Sequence, residues 1–337
     1  MYAIEVLVAM LISWKDYLTR KFMKPPVGTV VGLAFTAEQV LCSVLRQKDG
    51  NVFWEVDASF SHHSWTKSLA DFVKQHKLQG APCYFALTAH WYKMHNIDRP
   101  DVADAEVFNA IKWPLQELTS QSADLIYDYA DLPANVGGQK KLLVVALARQ
   151  EVEKLSRAIF DAELELASVS IEEFATVELT PLRQDAIITL VQEHGEEVVL
   201  NIVKNRTLYF SRRLKGFENI GTFSEVELDM GIIDSLCVQI QRSMDYFESQ
   251  LRQAPVKELL LKLDTQFTDF VSQKISTAMG IPCRSFTPNI ECGDKLNFKM
   301  ASFSCLGASY SHFVKQQSET ADIAPKRHAE EQREVSH

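Results

Sequence analysis

The stretch from Asp185 to Gly216, DAIITLVQEHGEEVVLNIVKNRTLYFSRRLKG, constrains the fold of this chain more than any other. Three apolar runs follow one another there: Ala186 to Val191, Val198 to Val203, and Thr207 to Leu214. Gly195 separates the first run from the second, and Lys204-Asn205-Arg206 the second from the third. β-rich runs joined by compact turns read as antiparallel hairpins. Near the start, Val27 to Leu45 forms another hairpin-like pair. Near the end, Val256 to Leu263 followed by a helical pattern adds a strand–helix unit. The chain is therefore expected to form two hairpin-led halves, each completed by strand–helix units.

At 337 residues the chain is too long for one ordinary core and is expected to form two or more domains. A formal net charge of −9 argues against a general nucleic-acid binder, which needs a basic surface to neutralise phosphates. The cysteines are Cys42, Cys83, Cys237, Cys283, Cys292 and Cys305. None forms a C-x-x-C pair and no histidine cluster accompanies them, so no zinc or other metal site is expected. Reduced, buried thiols and the lack of a secretory signal suggest a reducing cytoplasm. There is no G-x-S-x-G and no recognisable Cys/His pair, so no catalytic residue is assigned.

Residues 1–26 form an N-terminal extension. Leu7, Leu11, Trp14, Leu18 and Phe22 fall at helical spacing, but the apolar part is shorter than the roughly 20 residues that span a bilayer. Two readings stand: an interfacial amphipathic helix, or a non-native extension with translation starting at Met10 or Met23. Three strands (Val27 to Phe35, Gln39 to Gln47, Asn51 to Phe60), a helix from Ser64 to Gln79 and a buried strand from Cys83 to Leu87 follow. The histidines at 62, 63, 76, 90 and 95 lack the spacing of a metal-binding helix and read as surface residues. Residues 100–167 read as α-β-β-α-β, which suits a small ferredoxin-like α+β module inserted into a larger fold. Residues 27–99 and 168–183 then make a first subdomain and residues 184–313 a second half. In that half Leu228 to Gln253 reads as one long amphipathic helix, and Ser302 to Phe313 as a last helix. Residues 314–337 read as a disordered tail, charged and polar with little to bury.

Four places carry a family likeness: VGTVVGLAFTAEQVLCSVL; the pieces AIKWPLQEL, DLIYDYADL and KLLVVALARQEVEKL; VVLNIVKNRTLYFSRRL; and CVQIQRSMDYFESQ with VKELLLKLDTQF and MGIPCRSFTP after it. In this order, from about Val27 to Phe313, the chain resembles the PilM-type proteins of type IV pilus assembly. The resemblance implies an α/β, actin-like fold of two domains, related to the division protein FtsA. It also implies a protein at the cytoplasmic face of the bacterial inner membrane. Its implied partner is an inner-membrane protein of the PilN type, whose short cytoplasmic tail lies between the first large subdomain and the inserted module. Trp113, Tyr127 and Tyr129 are the candidates for lining that groove; the competing account is that Trp113 and one tyrosine face pack the module's own core.

Actin-like folds hold Mg–ATP between their halves, with two D-x-G-type turns facing the phosphates. This sequence departs from that pattern at each place. Ala34 and Thr36 stand where Asp and Gly are expected in the first hairpin, and Gln192 and His194 in the second, beside Gly195. Leu263-Asp264-Thr265 replaces the glycine run that packs on adenosine. Alanine cannot bind a metal, and Cβ-bearing residues crowd a phosphate loop. Neither ATP nor Mg²⁺ is therefore expected as a cofactor, and the leading reading is a non-catalytic scaffold. The alternatives are an active ATPase of the same fold and an FtsA-like protein that polymerises on the membrane surface.

Overall fold

The computed structural model describes residues 27–119 and 124–317. The amphipathic helix read in residues 1–26 lies outside them, as does most of the C-terminal tail. The first half opens with β1 (Thr29–Phe35), β2 (Gln39–Lys48) and β3 (Asn51–Ser61), an antiparallel meander. Helix α1 (Trp65–Gln75) then leads to β4 (Pro82–Leu87), which lies parallel to β1. The second half repeats the scheme. β9 (Ile187–Val191), β10 (Val198–Lys204) and β11 (Thr207–Leu214) form the meander. Helix α6 (Ile233–Ser249) leads to β12 (Glu258–Lys262), parallel to β9. Helix α7 (Thr268–Met279) leads to β13 (Cys283–Ser285), parallel to β12.

Between β4 and its next parallel neighbour the chain makes an excursion. It runs through β5 (Tyr92–Asp98), α2 (Asp104–Ala110), α3 (Lys112–Thr119), β6 (Leu125–Asp131) and β7 (Lys141–Ala148). It then returns by α4 (Arg149–Asp161) to β8 (Glu165–Ile171), which pairs parallel with β4. The sheets thus divide the chain differently from the 100–167 grouping. The module's sheet is β5-β7-β6, while β8 belongs to the six-stranded sheet β14-β3-β2-β1-β4-β8. Its β14 (Glu291–Cys292) crosses over from the second half to cover the β3 edge. The physical reason lies in packing: α4 sets Val152, Leu155 and Ile159 beside Leu69 and Val73 of α1, on the outer face of the first sheet. The second half has the five-stranded sheet β11-β10-β9-β12-β13.

Each large sheet is buried on both faces, which is why its central strands are apolar at nearly every position. The inner faces meet across α5 (Glu172–Glu178) and a last helix, α8, at residues 303–317. Phe303, Leu306 and Phe313 of α8 join Val30 and Leu45 of the first sheet and Ile187 and Leu260 of the second in one cluster. The helix expected to end at Phe313 continues to residue 317, four residues into the segment read as disordered tail. The helix expected from Leu228 to Gln253 is broken near its start. Gly231, at φ 119°, ends a single wide turn, and regular helix begins only at Ile233.

Candidate functional site

Two places between the layers bring polar or open surface together. The first is where the β1–β2 and β9–β10 turns meet. Thr36 organises the first turn: its hydroxyl accepts from the Gln39 amide at 3.2 Å and donates to the Gln39 carbonyl at 3.0 Å. The Ala37 amide, at the tip, donates to Glu196 Oε1 at 2.9 Å. The other oxygen of Glu196 lies 3.4 Å from His90 Nδ1. In the second turn Gly195 adopts φ +70°, and a Cβ there would sit 3.7 Å from Glu38 Oε1. Glu193 turns to α8: its Oε1 accepts from Ser302 Oγ at 3.0 Å and from the Ser304 amide at 2.9 Å.

The five positions singled out in sequence all lie around this junction or on its strands. Ala34 is buried in β1, and Thr36 follows the end of that strand. The Gln192 side-chain amide donates to the Glu196 and Phe217 carbonyls, both at 2.9 Å, and its Oε1 accepts from the Asp264 amide at 3.2 Å. His194 Nδ1 donates to Asp264 Oδ2 at 2.8 Å. Lys262, buried in β12, donates to the Gln192 carbonyl at 2.8 Å. Sequence reading found these positions but missed the engagement of Glu196 with Ala37, because nothing local to either residue signals it. Among the described residues no group of three or more His, Cys, Asp or Glu is placed to hold a metal.

The second place is an apolar groove of about 250 Å³ between the module and the first sheet. Its walls are β6 and β8, and each has a strand neighbour on one side only among the described residues. Ile126, Leu143, Val145 and Leu147 line it from the module; Ile171 and Phe174 line it from the β8–α5 corner. Of the candidate aromatic residues, Tyr127 and Tyr129 are among those that line the groove and Trp113 is not. Tyr127 and Tyr129 border the groove through β6, but their rings pack with Val107, Ile111 and Leu142 on the module's opposite, helix-covered face. The Tyr127 ring stacks on Phe108 with centroids 4.8 Å apart. Trp113 lies on α3, 75% exposed, outside the groove. The period of two along β6 sends the Ile126 side chain toward the groove and the Tyr127 and Tyr129 rings toward the helix-covered face, so the tyrosines border the groove through the strand itself. A signal for the true lining was present in β7, KLLVVALA, which is apolar on both faces where a covered-and-solvated strand would alternate.

Behind the groove, α5 starts with two buried glutamates. Arg213 of β11 donates to Glu172, to Glu173 at 2.7 Å and to the Tyr92 hydroxyl at 2.8 Å, and Tyr92 donates to Glu173. The Ala89 amide donates to Glu172 at 3.1 Å. Burial pushes the Glu172 carboxyl up to about 8, with Arg213 opposing and Glu173 adding to the rise. Burial likewise pushes the Tyr92 phenol up, reinforced by Glu173 and Glu172. The module, α5 and the second sheet are thus tied by one polar knot.

This arrangement, two like halves on paired interdomain helices with a small inserted sheet, is an actin-like fold, an α/β architecture with three sheets. The chain is similar to a solved PilM–PilN type IV pilus biogenesis complex, with a TM-score of 0.62 at 15% identity over 85% of this chain and 97% of that one. A weaker likeness, TM-score 0.48 at 11% identity over 83% of this chain and 94% of the other, is to the cytoplasmic domain of EpsL, an inner-membrane component of the type II secretion system of Vibrio cholerae. No family model matches the sequence, and no curated protein does. Among the described residues no helix is long and apolar enough to cross a membrane.

Proposed function

We propose that this chain is a non-catalytic scaffold of type IV pilus biogenesis, of the kind represented by MshI in the mannose-sensitive haemagglutinin system. On this reading it docks the cytoplasmic N-terminal tail of a single-span inner-membrane partner of the PilN type. It works at the cytoplasmic face of that membrane and reaches the bilayer through its partner. The observation that carries the reading is the apolar groove walled by β6 and β8, each with a strand neighbour on one side only among the described residues. An extended peptide adds to such an edge through main-chain hydrogen bonds, and apolar side chains at every second position fill the pockets beneath. The shared fold with a PilM–PilN complex supports the choice of partner.

The same reading holds that the chain neither binds nor hydrolyses Mg–ATP. Ala34 and Gln192 offer no carboxylate to a metal's water shell, and the Ala37 amide is already engaged by Glu196. Glu38, Glu193, Glu196 and Asp264 around the turns would repel a triphosphate.

Isothermal titration tests the proposal with synthetic peptides spanning the cytoplasmic tails of single-span pilus-assembly proteins. One such tail is expected to bind, Val145→Glu to weaken it at least about tenfold by placing an unpaired charge in the groove, and Trp113→Ala to leave it unchanged. Mg–ATP is expected to give no heat. Binding that ignores Val145→Glu would show that the tail docks elsewhere; heat with Mg–ATP would overturn the expectation that the chain binds no nucleotide, and phosphate release would overturn the expectation that it hydrolyses none.

A further inference from the structure

The β1–β2 and β9–β10 turns are bridged by groups of the protein itself. We propose that the β9–β10 turn is a built-in latch, in which the carboxylates of Glu196 and Glu193 take the place of a bound anion and hold the two halves closed without any ligand.

Four observations converge on this. Glu196 belongs to the second half, yet its side chain accepts from the tip amide of the first half's turn at 2.9 Å and lies 3.4 Å from His90, just after β4. Glu193, three residues earlier on the same turn, reaches the start of α8 and accepts from Ser302 and Ser304. That helix is seated on the first sheet: a Cβ on Gly32 of β1 would lie 2.3 Å from the Cys305 carbonyl. Both glutamates are buried, Glu193 to 3% exposure and Glu196 to 5%, so each carboxylate is held by these donors in place of bulk water. Finally, the turn is pre-shaped for the task. Gln192 accepts from the Asp264 amide and donates to the Glu196 carbonyl, and the left-handed Gly195 lets the chain reverse against Glu38. A carboxylate presents two oxygens to backbone amides much as a phosphate does, so one turn supplies both the loop and its anion.

The latch goes beyond the groove reading and stands or falls separately from it, because it concerns closure in the absence of both peptide and nucleotide. Hydrogen exchange and small-angle scattering on the full chain test it. In Glu196→Ala the Ala37 amide is expected to exchange about tenfold faster or more, the factor that loss of one charge-assisted hydrogen bond gives. In Glu193→Ala the Ser304 amide is expected to do the same, and the double variant to show a larger radius of gyration. Glu197→Ala, whose carboxylate lies 3.9 Å from Lys215 on the solvent side, is expected to change neither. Should the double variant fail to fold, Glu196→Gln, which keeps the volume and weakens the acceptor, is expected to speed Ala37 exchange several-fold. Unchanged exchange at Ala37 in a folded Glu196 variant overturns the latch, as does an unchanged radius of gyration in a folded double variant. Heat with Mg–ATP would count against the scaffold reading alone.

Discussion

At the scale of single residues, the chemistry turns on where carboxylates are placed. Glu172 is the clearest case. A glutamate in the unfolded chain titrates near 4.5, whereas burial, with Glu173 adding and Arg213 opposing, lifts the folded value to about 8. Between these values the folded state keeps a proton that the unfolded state releases. Stability therefore falls as pH rises through that window, with a slope of up to about 1.4 kcal/mol per pH unit from this group. Glu172→Gln, a neutral stand-in for the protonated acid, is expected to flatten the slope. Urea unfolding across the window reads it, and an unaltered slope in the variant would assign the pH dependence to another group. Ala34, Thr36, Gln192 and His194 lie on or beside the β1–β2 and β9–β10 hairpins, whose runs and turns are legible locally, whereas Asp264 follows β12 and meets His194 only in the folded molecule. Sequence could not tell which way the Tyr127 and Tyr129 rings turn, because which face of β6 a layer covers is decided by the elements packed on it.

At the scale of elements, most strands and helices were legible because their periods are strong. The three runs of the opening stretch are β9, β10 and β11 within a residue or two. β5 was not read as a strand: YKMHNID carries Lys93, His95, Asn96 and Asp98 without regular alternation and buries only Tyr92 and Ile97, so its apolar signal is thin. The break at Gly231 was also missed, since the apolar spacing runs on across it and only the backbone shows the positive φ. Helix packing depends on positions that no period reveals. Gly307 lets α8 touch the backbone of α5, where a Cβ would lie 1.9 Å from the Ala175 carbonyl. Gly307→Ala must push the two interdomain helices apart, and is expected to cost about 1–3 kcal/mol, seen as a lowered denaturation midpoint at unchanged m-value. A variant as stable as the parent would mean that α5 shifts freely, which the polar knot at its first turn opposes.

At the scale of the whole molecule, the two halves share a single interior. Phe303, Leu306 and Phe313 pack with residues of both large sheets, and Arg213 ties the second sheet to α5 and the module. Unfolding either half alone would strip one side of that cluster. Scanning calorimetry is therefore expected to give one transition with matching calorimetric and van't Hoff enthalpies, and two resolved transitions would refute this coupling. Sequence by itself determined the doubled strand–turn–helix scheme, because side-chain period and turn chemistry are encoded within a few residues. It determined also which residues stand in and beside the two turns, Ala34 and Thr36 at the first and Gln192, His194 and Gly195 at the second. Only the tertiary structure decided that α4 and β8 complete the first sheet and that β6 and β8 face each other across an apolar groove. Only it set Glu196 against an amide 159 residues away. Such pairings depend on how layers stack, and stacking is settled by the sum of buried surfaces across the molecule, which no local stretch of sequence contains.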